Sequence, residues 1–340
     1  MKSFECKDSP IRVFGLMNFY KNGSLMRLPE EMIEKMPHLR QFGSRSTGGR
    51  LAFRTNTKSL YVKLVTKTFI RDCFATQVAS SGLDIYIGNR TEGRFIGSVF
   101  ATGFRGTDPN VSEKTFLLDG KMTDITIYMP KNEILENVYI GIDDDANMEP
   151  PTPYRNEKPV IFYGSSITEG GCAGRVGNAY NAALSRQLNM DYINFGFSGS
   201  AKGEPEMAEF IASLPMSIFV MDYDYNAPDV EHLEKTHEPF FKIIREKNPD
   251  LPIIMMSNPN YKIKREESEA RLAVIRKTYE NAIANGDQNV YLISGEHFYA
   301  DSDPYACTVD LIHPNDCGFY HMTKEVRKIL EPIFDQVCEK

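Results

Sequence analysis

The chain has 340 residues, of which 41% are hydrophobic and 25% charged, and its formal net charge is −7. This composition is typical of a folded protein and excludes general disorder, and at roughly 150 residues per domain the length predicts about two domains. The acidic balance leaves no basic surplus for a phosphate backbone, so nucleic-acid binding is not expected. Apolar runs fall far short of the roughly 20 residues that span a bilayer, so no membrane partner is expected either.

The N-terminus and the cysteines both bear on the cellular compartment. The first residues carry charge (Lys2, Glu5 and Lys7) and contain no apolar signal-peptide core, which predicts a cytoplasmic protein; secretion stays open if the chain is a processed form. None of the six cysteines forms a C-x-x-C pair, and no Cys/His cluster has zinc spacing. We therefore expect reduced thiols and no metal.

Residues 10–142 show mostly period-two hydrophobicity, in which apolar and polar side chains alternate. The clearest runs are Leu60–Leu64, Leu83–Ile87, Ile125–Met129 and Val138–Ile142. Short alternating strands separated by Gly, Asn and Asp are typical of an antiparallel β-sandwich. One short helix is expected at Glu30–Met36.

An acidic, proline-rich stretch at residues 143–153 divides the chain. Its Asp143-x-Asp145-x-Asn147 spacing resembles the start of a calcium loop, but Met148 stands where that loop requires glycine, so we reject a calcium site. We interpret the stretch as a linker. The predicted domains are residues 1–150, a β-sandwich, and residues 151–340.

Beyond residue 158, short apolar strands alternate with helical patterns. The predicted strands are Pro159–Tyr163, Tyr192–Phe195, Ser217–Met221, Pro252–Met256 and Val290–Ile293. The predicted helices are Ala179–Leu188, Pro205–Leu214, Val230–Arg245, Glu266–Ala284 and Phe319–Val337. Strict alternation predicts an α/β domain, a parallel sheet with helices on both faces. Ligands bind beyond the carboxyl ends of such strands, which directs attention to the residues that follow them.

Gly164-Ser165-Ser166 follows the first of these strands. A serine here would lie at the top of the sheet with backbone N–H groups around it, as a nucleophile requires. An ordinary helix cap is the competing interpretation. The later glycines Gly171, Gly174 and Gly177 do not match G-x-G-x-x-G, and no Walker lysine is present, so neither nucleotide binding nor another cofactor is expected.

Two further segments offer hydrogen-bond donors at the same sheet edge. The Gly199 N–H follows the second strand, and the Asn226 side-chain amide follows the third. Both groups are candidate donors to an oxyanion, although each residue is also typical of a plain loop. Asp224 competes with Asn226, but a carboxylate would repel an oxyanion, so we prefer the amide.

Asp310-Leu-Ile-His313 follows the fifth strand and a loop. Residues three apart can face the same side of one turn, so the carboxylate can hold the imidazole in one tautomer and leave the other nitrogen as a base. Pro314 fixes the backbone after the base, whereas the other histidines lack both the upstream acid and the proline. The pair favours a functional histidine over a structural one.

These segments together, in the order Ser, Gly, Asn, Asp-x-x-His, resemble the SGNH or GDSL-type esterase and lipase superfamily. The resemblance implies a flavodoxin-like, three-layer catalytic domain. It also implies that Ser166 is the nucleophile and that Asp310 and His313 complete a triad. The oxyanion hole would be formed by the Ser166 N–H, Gly199 and Asn226.

Two departures from the family pattern affect these assignments. Ser165 stands where the family usually has the aspartate of Gly-Asp-Ser. That aspartate is not the triad acid, so we expect altered local hydrogen bonding rather than loss of activity. The usual Gly-x-Asn-Asp is replaced by Asp222-Tyr-Asp-Tyr-Asn226, which keeps Asp224 as the alternative to Asn226.

Gly82-Leu-Asp84-Ile-Tyr86 resembles the G-x-D-L-Y motif of an N-terminal β-domain found before some bacterial SGNH hydrolases. This pairing, and the similar layout of carbohydrate esterases with a jelly-roll module, implies a serine esterase that removes small acyl groups, acetyl above all, from acylated carbohydrates. Arg175 and Tyr180 are candidate substrate contacts. The alternatives are a lipase or thioesterase acting on other substrates and a catalytically silent binding protein. The sequence leaves the oligomeric state open.

Overall fold

The computed structural model describes residues 1–101 and 108–339, and the chain forms two compact units. The first comprises Met1–Arg155 with Ala173–Ile193, and the second comprises Asn156–Cys172 with Asn194–Lys340. The sequence predicts a single boundary near residue 150, whereas the units interleave along the chain. Within the described residues, no helix has the length and apolar character needed to cross a membrane.

Strands are numbered in chain order. They are β1 (Lys2–Glu5), β2 (Arg12–Phe14), β3 (Arg50–Thr55), β4 (Ser59–Thr66), β5 (Leu83–Ile87), β6 (Arg94–Val99), β7 (Val111–Leu117), β8 (Thr123–Tyr128), β9 (Leu135–Ile142), β10 (Met148–Glu149), β11 (Val160–Gly164), β12 (Tyr192–Gly196), β13 (Ile218–Asp222), β14 (Ile253–Met256) and β15 (Val290–Ile293).

The α-helices are numbered in the same way. They are α1 (Phe19–Asn22), α2 (Glu30–Lys35), α3 (Arg40–Gly43), α4 (Gln77–Ser81), α5 (Ser166–Glu169), α6 (Tyr180–Leu188), α7 (Pro205–Ala212), α8 (Val230–Lys247), α9 (Arg265–Ala284) and α10 (Asp316–Cys338). The helix expected at Glu30–Met36 is α2.

The first unit is a sandwich of two antiparallel sheets. One sheet has the strand order β1-β9-β4-β7, and the other has the order β10-β3-β8-β5-β6, with β2 also pairing with β3. Strand β4 shows why the alternating sequence folds this way. Leu60, Val62 and Leu64 are buried in the core, while Tyr61 and Lys63 are half-buried on the other face. The predicted antiparallel β-sandwich is confirmed.

Contacts of the motif around Asp84 help to explain why Ala173–Ile193 belongs to the first unit. Asp84 is fully buried on β5, and one of its carboxylate oxygens accepts a hydrogen bond from the Gly177 N–H at 3.0 Å. The Arg186 guanidinium lies over the Tyr86 ring at 4.3 Å from its centre. A buried carboxylate requires such partners, so the motif anchors this inserted segment.

The second unit contains a five-stranded sheet of order β12-β11-β13-β14-β15. The pairs β11–β13, β13–β14 and β14–β15 are parallel, and strand β11 is buried at every residue. This is the flavodoxin-like order, second-first-third-fourth-fifth, and it confirms the predicted α/β fold. The carboxyl ends of β11, β12 and β13 lie side by side and carry the candidate site.

Candidate active site

Ser166 is the first residue of α5, directly after the end of β11. The capping role belongs to its neighbour, since the Ser165 hydroxyl oxygen accepts a hydrogen bond from the Ile167 N–H at 3.1 Å. Ser165 is buried, whereas Ser166 is half-buried and has its hydroxyl available for another partner. Ser165 is therefore the helix cap, and the nucleophile role of Ser166 stays a prediction.

Glycine at position 164 is required by close approach rather than by a left-handed turn. A Cβ there would overlap the Thr168 hydroxyl and the Asp222 carbonyl group of the adjacent strand. A Cβ at Gly171 would lie 3.2 Å from Cδ2 of His313, so this glycine leaves room for the imidazole ring. Both glycines permit the chain around Ser166 to pack tightly.

The structure brings His313 and Asp310 to Ser166. Nε2 of His313 lies 2.8 Å from Oγ of Ser166, and Nδ1 lies 2.7 Å from Oδ2 of Asp310. The second carboxylate oxygen, Oδ1, accepts hydrogen bonds from the backbone N–H groups of His313 at 2.7 Å and Ile312 at 3.0 Å. The carboxylate therefore holds both the ring and the backbone of the histidine.

The loop that carries this pair is a tight hairpin-like turn rather than a helical one. Thr308 and Pro314 form an isolated antiparallel bridge, and the Val309 N–H donates to the His313 carbonyl oxygen at 3.0 Å. Leu311 has a φ of 67°, a left-handed conformation that is strained for a branched side chain. Pro314 disfavours helix at the residue before it, so α10 begins only after His313.

The electrostatics keep the Asp310 carboxylate charged. Burial raises its pKa, but the hydrogen bonds from the backbone and ring of His313, and from Ile312, outweigh burial and hold the pKa below its ordinary value. An ionised carboxylate accepts at Nδ1, which places the imidazole proton there and leaves the lone pair of Nε2 toward Ser166. This is the arrangement that a general base requires.

Gly199 and Asn226 also lie together, and they are hydrogen-bonded to each other. The Gly199 N–H donates to Oδ1 of Asn226 at 3.1 Å, and Nδ2 of Asn226 donates to the Phe197 carbonyl oxygen at 2.8 Å. Gly199 has a φ of 64°, and a Cβ there would meet open space. The amide therefore fixes the turn that presents Gly199, and the oxyanion roles of these residues and of the Ser166 N–H stay predictions.

Asp224 has a different environment from Asn226. Its carboxylate is buried and accepts hydrogen bonds from the backbone N–H of Asn258 at 3.0 Å and from the Asn258 side-chain amide at 3.1 Å. Burial raises the pKa of this carboxyl above its ordinary value. These contacts give Asp224 a structural role in joining the ends of β13 and β14, and the preference for Asn226 as the oxyanion donor stays a prediction.

A polar network close to Ser166 was not anticipated from the sequence. The Thr168 hydroxyl donates to Oδ2 of Asp222 at 2.8 Å, and Nδ2 of Asn194 donates to the Thr168 carbonyl oxygen at 2.9 Å. The Ser198 hydroxyl donates to the buried carboxylate of Glu169. Asp222 ends β13 and Ser198 follows β12, and a position at the carboxyl end of a strand is the signal that could have identified these two.

The two candidate substrate contacts, Arg175 and Tyr180, lie in the first unit. The Arg175 guanidinium is 3.6 Å from the centre of the Phe95 ring, and it donates to the Tyr86 hydroxyl at 3.3 Å and to Oδ1 of Asn178 at 3.0 Å. The Tyr180 side chain is fully buried, which leaves it no surface for a ligand. Substrate binding by this pair therefore gains no support from the structure.

The second unit has a flavodoxin-like sheet, and hydrogen bonds link Ser166, His313 and Asp310 at its carboxyl edge, as the resemblance to SGNH-type esterases implies. Two family models match the sequence: the GDSL-like lipase/acylhydrolase family over residues 157–331, and the GxDLY N-terminus of SGNH-hydrolase-type esterases over residues 2–148. The chain belongs to the GDSL-like lipase/acylhydrolase family, and it is a hydrolase of carboxylic esters. The family and the enzyme class expected from the motifs are confirmed.

Solved structures resemble the chain over nearly its whole length. A protein from Bacteroides ovatus, provisionally assigned as a GDSL-like lipase, is 26% identical over 98% of both chains, with a TM-score of 0.85. The salicylyl-acyltransferase SsfX3 from a tetracycline biosynthetic pathway is 19% identical over 98% of this chain and 97% of its own, with a TM-score of 0.77. The acetyl xylan esterase Est2A from the rumen bacterium Butyrivibrio proteoclasticus is 14% identical over 98% of this chain and 100% of its own, with a TM-score of 0.59. No curated protein matches the sequence.

Proposed function

We propose that this chain is a serine esterase that removes small acyl groups, acetyl above all, from acylated carbohydrates through an acyl-enzyme on Ser166. The observation that carries the proposal is the unbroken hydrogen-bond chain from the Ser166 hydroxyl through His313 to Asp310, with both links under 3 Å. Such a chain activates a hydroxyl that is otherwise a weak nucleophile.

The proposed reaction has two steps. In the first, Nε2 of His313 accepts the proton of the Ser166 hydroxyl while Oγ bonds to the ester carbonyl carbon, and the carbonyl oxygen becomes an oxyanion. The tetrahedral intermediate then expels the alcohol, which takes the proton from His313. In the second step, water attacks the acyl carbon while His313 accepts one of its protons; the bond from Oγ to the acyl carbon then breaks, the acid leaves, and His313 returns the proton to Oγ of Ser166.

Carbohydrate esters are proposed as substrates because the resemblance carried by the motifs extends to carbohydrate esterases, and because the chain shares its fold with an acetyl xylan esterase.

A second candidate, hydrolysis of longer acyl chains, is favoured by one observation. The loop that carries the catalytic pair exposes apolar side chains, with Val309 51%, Leu311 47% and nearby Tyr305 63% accessible. An apolar acyl chain could cover this surface.

Acyl-chain length separates the two candidates. Each methylene buried against apolar surface contributes about 0.8 kcal/mol, roughly fourfold in kcat/KM. If the octanoyl chain lay on the exposed apolar loop, kcat/KM for the octanoyl ester would therefore exceed kcat/KM for the acetyl ester by orders of magnitude. We expect the acetyl ester of p-nitrophenol to be hydrolysed at least as efficiently as the octanoyl ester, and we expect acetate release from acetylated oligosaccharides. Strong octanoyl preference would establish the second candidate instead.

Ser166→Ala tests the nucleophile, and Ser165→Ala is its matched control one residue away. We expect Ser166→Ala to lose turnover and to form no acyl adduct detectable by mass spectrometry after rapid acid quench. Ser165→Ala removes a cap, so it should lower stability by about 1 kcal/mol while still acylating. Equal turnover by Ser166→Ala and the wild-type chain would eliminate Ser166 as the nucleophile.

A further inference from the structure

Two cysteines bracket the loop that carries Asp310 and His313. Cys307 ends the short helix before the loop, and Cys317 lies in the first turn of α10 after it. The backbone closes the loop at the same place, because the Asn315 N–H donates to the Cys307 carbonyl oxygen at 3.0 Å. The two Sγ atoms are 3.8 Å apart, so the base of the catalytic loop holds a pair of adjacent thiols.

A third metal-ligating side chain faces the same point. His321 follows Cys317 by one helical turn on α10, a spacing that places both side chains on one face of the helix. One ligand atom from each of Cys307, Cys317 and His321 can be chosen so that all lie within 4.8 Å of one another. Cys307 is buried, His321 is half-buried and Cys317 is exposed, so an ion could reach the cluster from solvent.

The sulfur separation fits a tetrahedral metal centre. Zinc–thiolate bonds are about 2.3 Å long, and tetrahedral geometry then places two sulfurs about 3.8 Å apart. The observed distance between the Cys307 and Cys317 sulfurs is 3.8 Å. A disulfide would require the same atoms to approach to about 2.05 Å. The His321 imidazole supplies the third ligand atom, within 4.8 Å of both sulfurs.

The surroundings supply polar groups of the kind that support thiolate ligands. The Tyr299 hydroxyl is buried and has no hydrogen-bond partner within the part of the chain that the structure describes. It lies on the same side of Gly318 as the Cys307 carbonyl group, since a Cβ at Gly318 would be 3.0 Å from it. The Ser302 hydroxyl is 3.3 Å from Sγ of Cys307. Hydrogen bonds from hydroxyl groups to metal-bound sulfur stabilise such sites.

We propose that Cys307, Cys317 and His321 bind one Zn²⁺ ion that fixes the base of the catalytic loop. Two thiolates and an imidazole are ligands that zinc prefers over the oxygen donors suited to magnesium or calcium. Binding would release the two thiol protons to solvent, and water would complete the tetrahedron. The ion would stabilise the loop and take no part in the reaction at Ser166. The C-x₉-C-x₃-H spacing differs from common zinc-binding patterns because the loop of Asp310 and His313, rather than a short turn, joins the two cysteines.

Cobalt(II) provides a direct spectroscopic test that does not depend on activity. The full chain is reduced, treated with chelator and titrated with Co²⁺ under anaerobic conditions. We expect one equivalent to produce a near-ultraviolet thiolate-to-cobalt band and visible bands of a tetrahedral ion, and we expect Zn²⁺ to displace it. Zn²⁺ should also raise the melting temperature of the chain.

Matched variants assign the ligands. Cys317→Ser and His321→Gln each remove a direct ligand, so each should weaken cobalt binding at least 100-fold, which is at least the largest loss typical of an outer-shell change. Cys73→Ser, which removes another exposed thiol, should bind cobalt like the wild type. Circular dichroism confirms that each variant is folded. Reduced wild-type chain that binds no cobalt, or Cys317→Ser and His321→Gln variants that bind it unchanged, would overturn the proposal.

Discussion

Replacing the carboxylate of Asp310 with an amide tests how the structure orients the base. In the wild-type chain one carboxylate oxygen accepts from the backbone N–H groups of Ile312 and His313, and the other accepts from the ring at Nδ1. In Asp310→Asn only one oxygen remains. It can satisfy the two backbone donors or the ring, but it cannot satisfy both.

The hydrogen-bond donors around residue 310 determine which of its two orientations the new side-chain amide adopts. If the NH₂ group faced the backbone, two hydrogen bonds would be lost, each worth about 1 kcal/mol or more. The NH₂ group would also face the N–H groups of Ile312 and His313, and two donors cannot hydrogen-bond to each other. The amide oxygen therefore stays on the backbone and the NH₂ group faces Nδ1 of His313. The ring must then accept at Nδ1 and carry its proton on Nε2, 2.8 Å from Oγ of Ser166, where it cannot act as a base. We expect kcat to fall about 10⁴-fold, equivalent to about 5.5 kcal/mol.

Initial rates with p-nitrophenyl acetate measure this loss. The melting temperature of Asp310→Asn should change little, because the backbone hydrogen bonds are retained. Asp301→Asn, at an exposed position of the loop that follows β15, is the matched control and should keep wild-type kinetics. If Asp310→Asn retains kcat within about tenfold while His313→Ala is inactive, the histidine acts without help from this carboxylate and the tautomer argument fails.

Two further predictions concern stability. Gly164→Ala drives a methyl group into the Asp222 carbonyl, so it should lower the free energy of unfolding by about 3 kcal/mol in urea titrations. Gly199→Ala, which has space but a φ of 64°, should lose only about 1–2 kcal/mol, and an equal loss in both variants would refute the steric explanation. His237 is buried against the Thr278 hydroxyl, and burial lowers its pKa to about 3. Because the unfolded chain binds a proton below pH ~6.5 and the folded chain does not, stability should fall by about 1.4 kcal/mol per pH unit on acidification; His237→Asn should remove that share of the slope, and an unchanged slope would contradict the assignment.

The sequence predicts the strands and helices of the second unit well because hydrophobic periodicity and helix caps are local properties of the sequence. The pattern over Val230–Arg245 predicts the helix that the structure has at Val230–Lys247, where Asp229 caps the first turn. The last helix begins at Asp316 rather than at the expected Phe319. Oδ1 of Asn315 accepts from the backbone N–H groups of Cys317 and Gly318, and this cap extends the helix beyond its apolar pattern.

The burial of the aspartate in the G-x-D-L-Y motif could not be predicted from the local sequence pattern. The alternating pattern of β5 correctly predicts Leu83 and Ile85 as core residues. It gives no indication that Asp84, on the opposite face, is buried as well and accepts a hydrogen bond from Gly177, 93 residues later. Only the packing of that distant segment supplies the donor, and without a donor a buried carboxylate would be destabilising.

Periodicity and chain order, both properties of the sequence, determined the strands, the helices, the parallel sheet and the sequence of polar segments at its carboxyl edge, since strand ends in such a sheet must meet. The tertiary structure alone decided that Ser166 and His313, 147 residues apart, come within 2.8 Å, that residues 173–193 pack with the first unit, and that Cys307 and Cys317 lie together. Each of these facts depends on how a loop closes against distant residues. The energy of such contacts comes from partners that no local pattern contains.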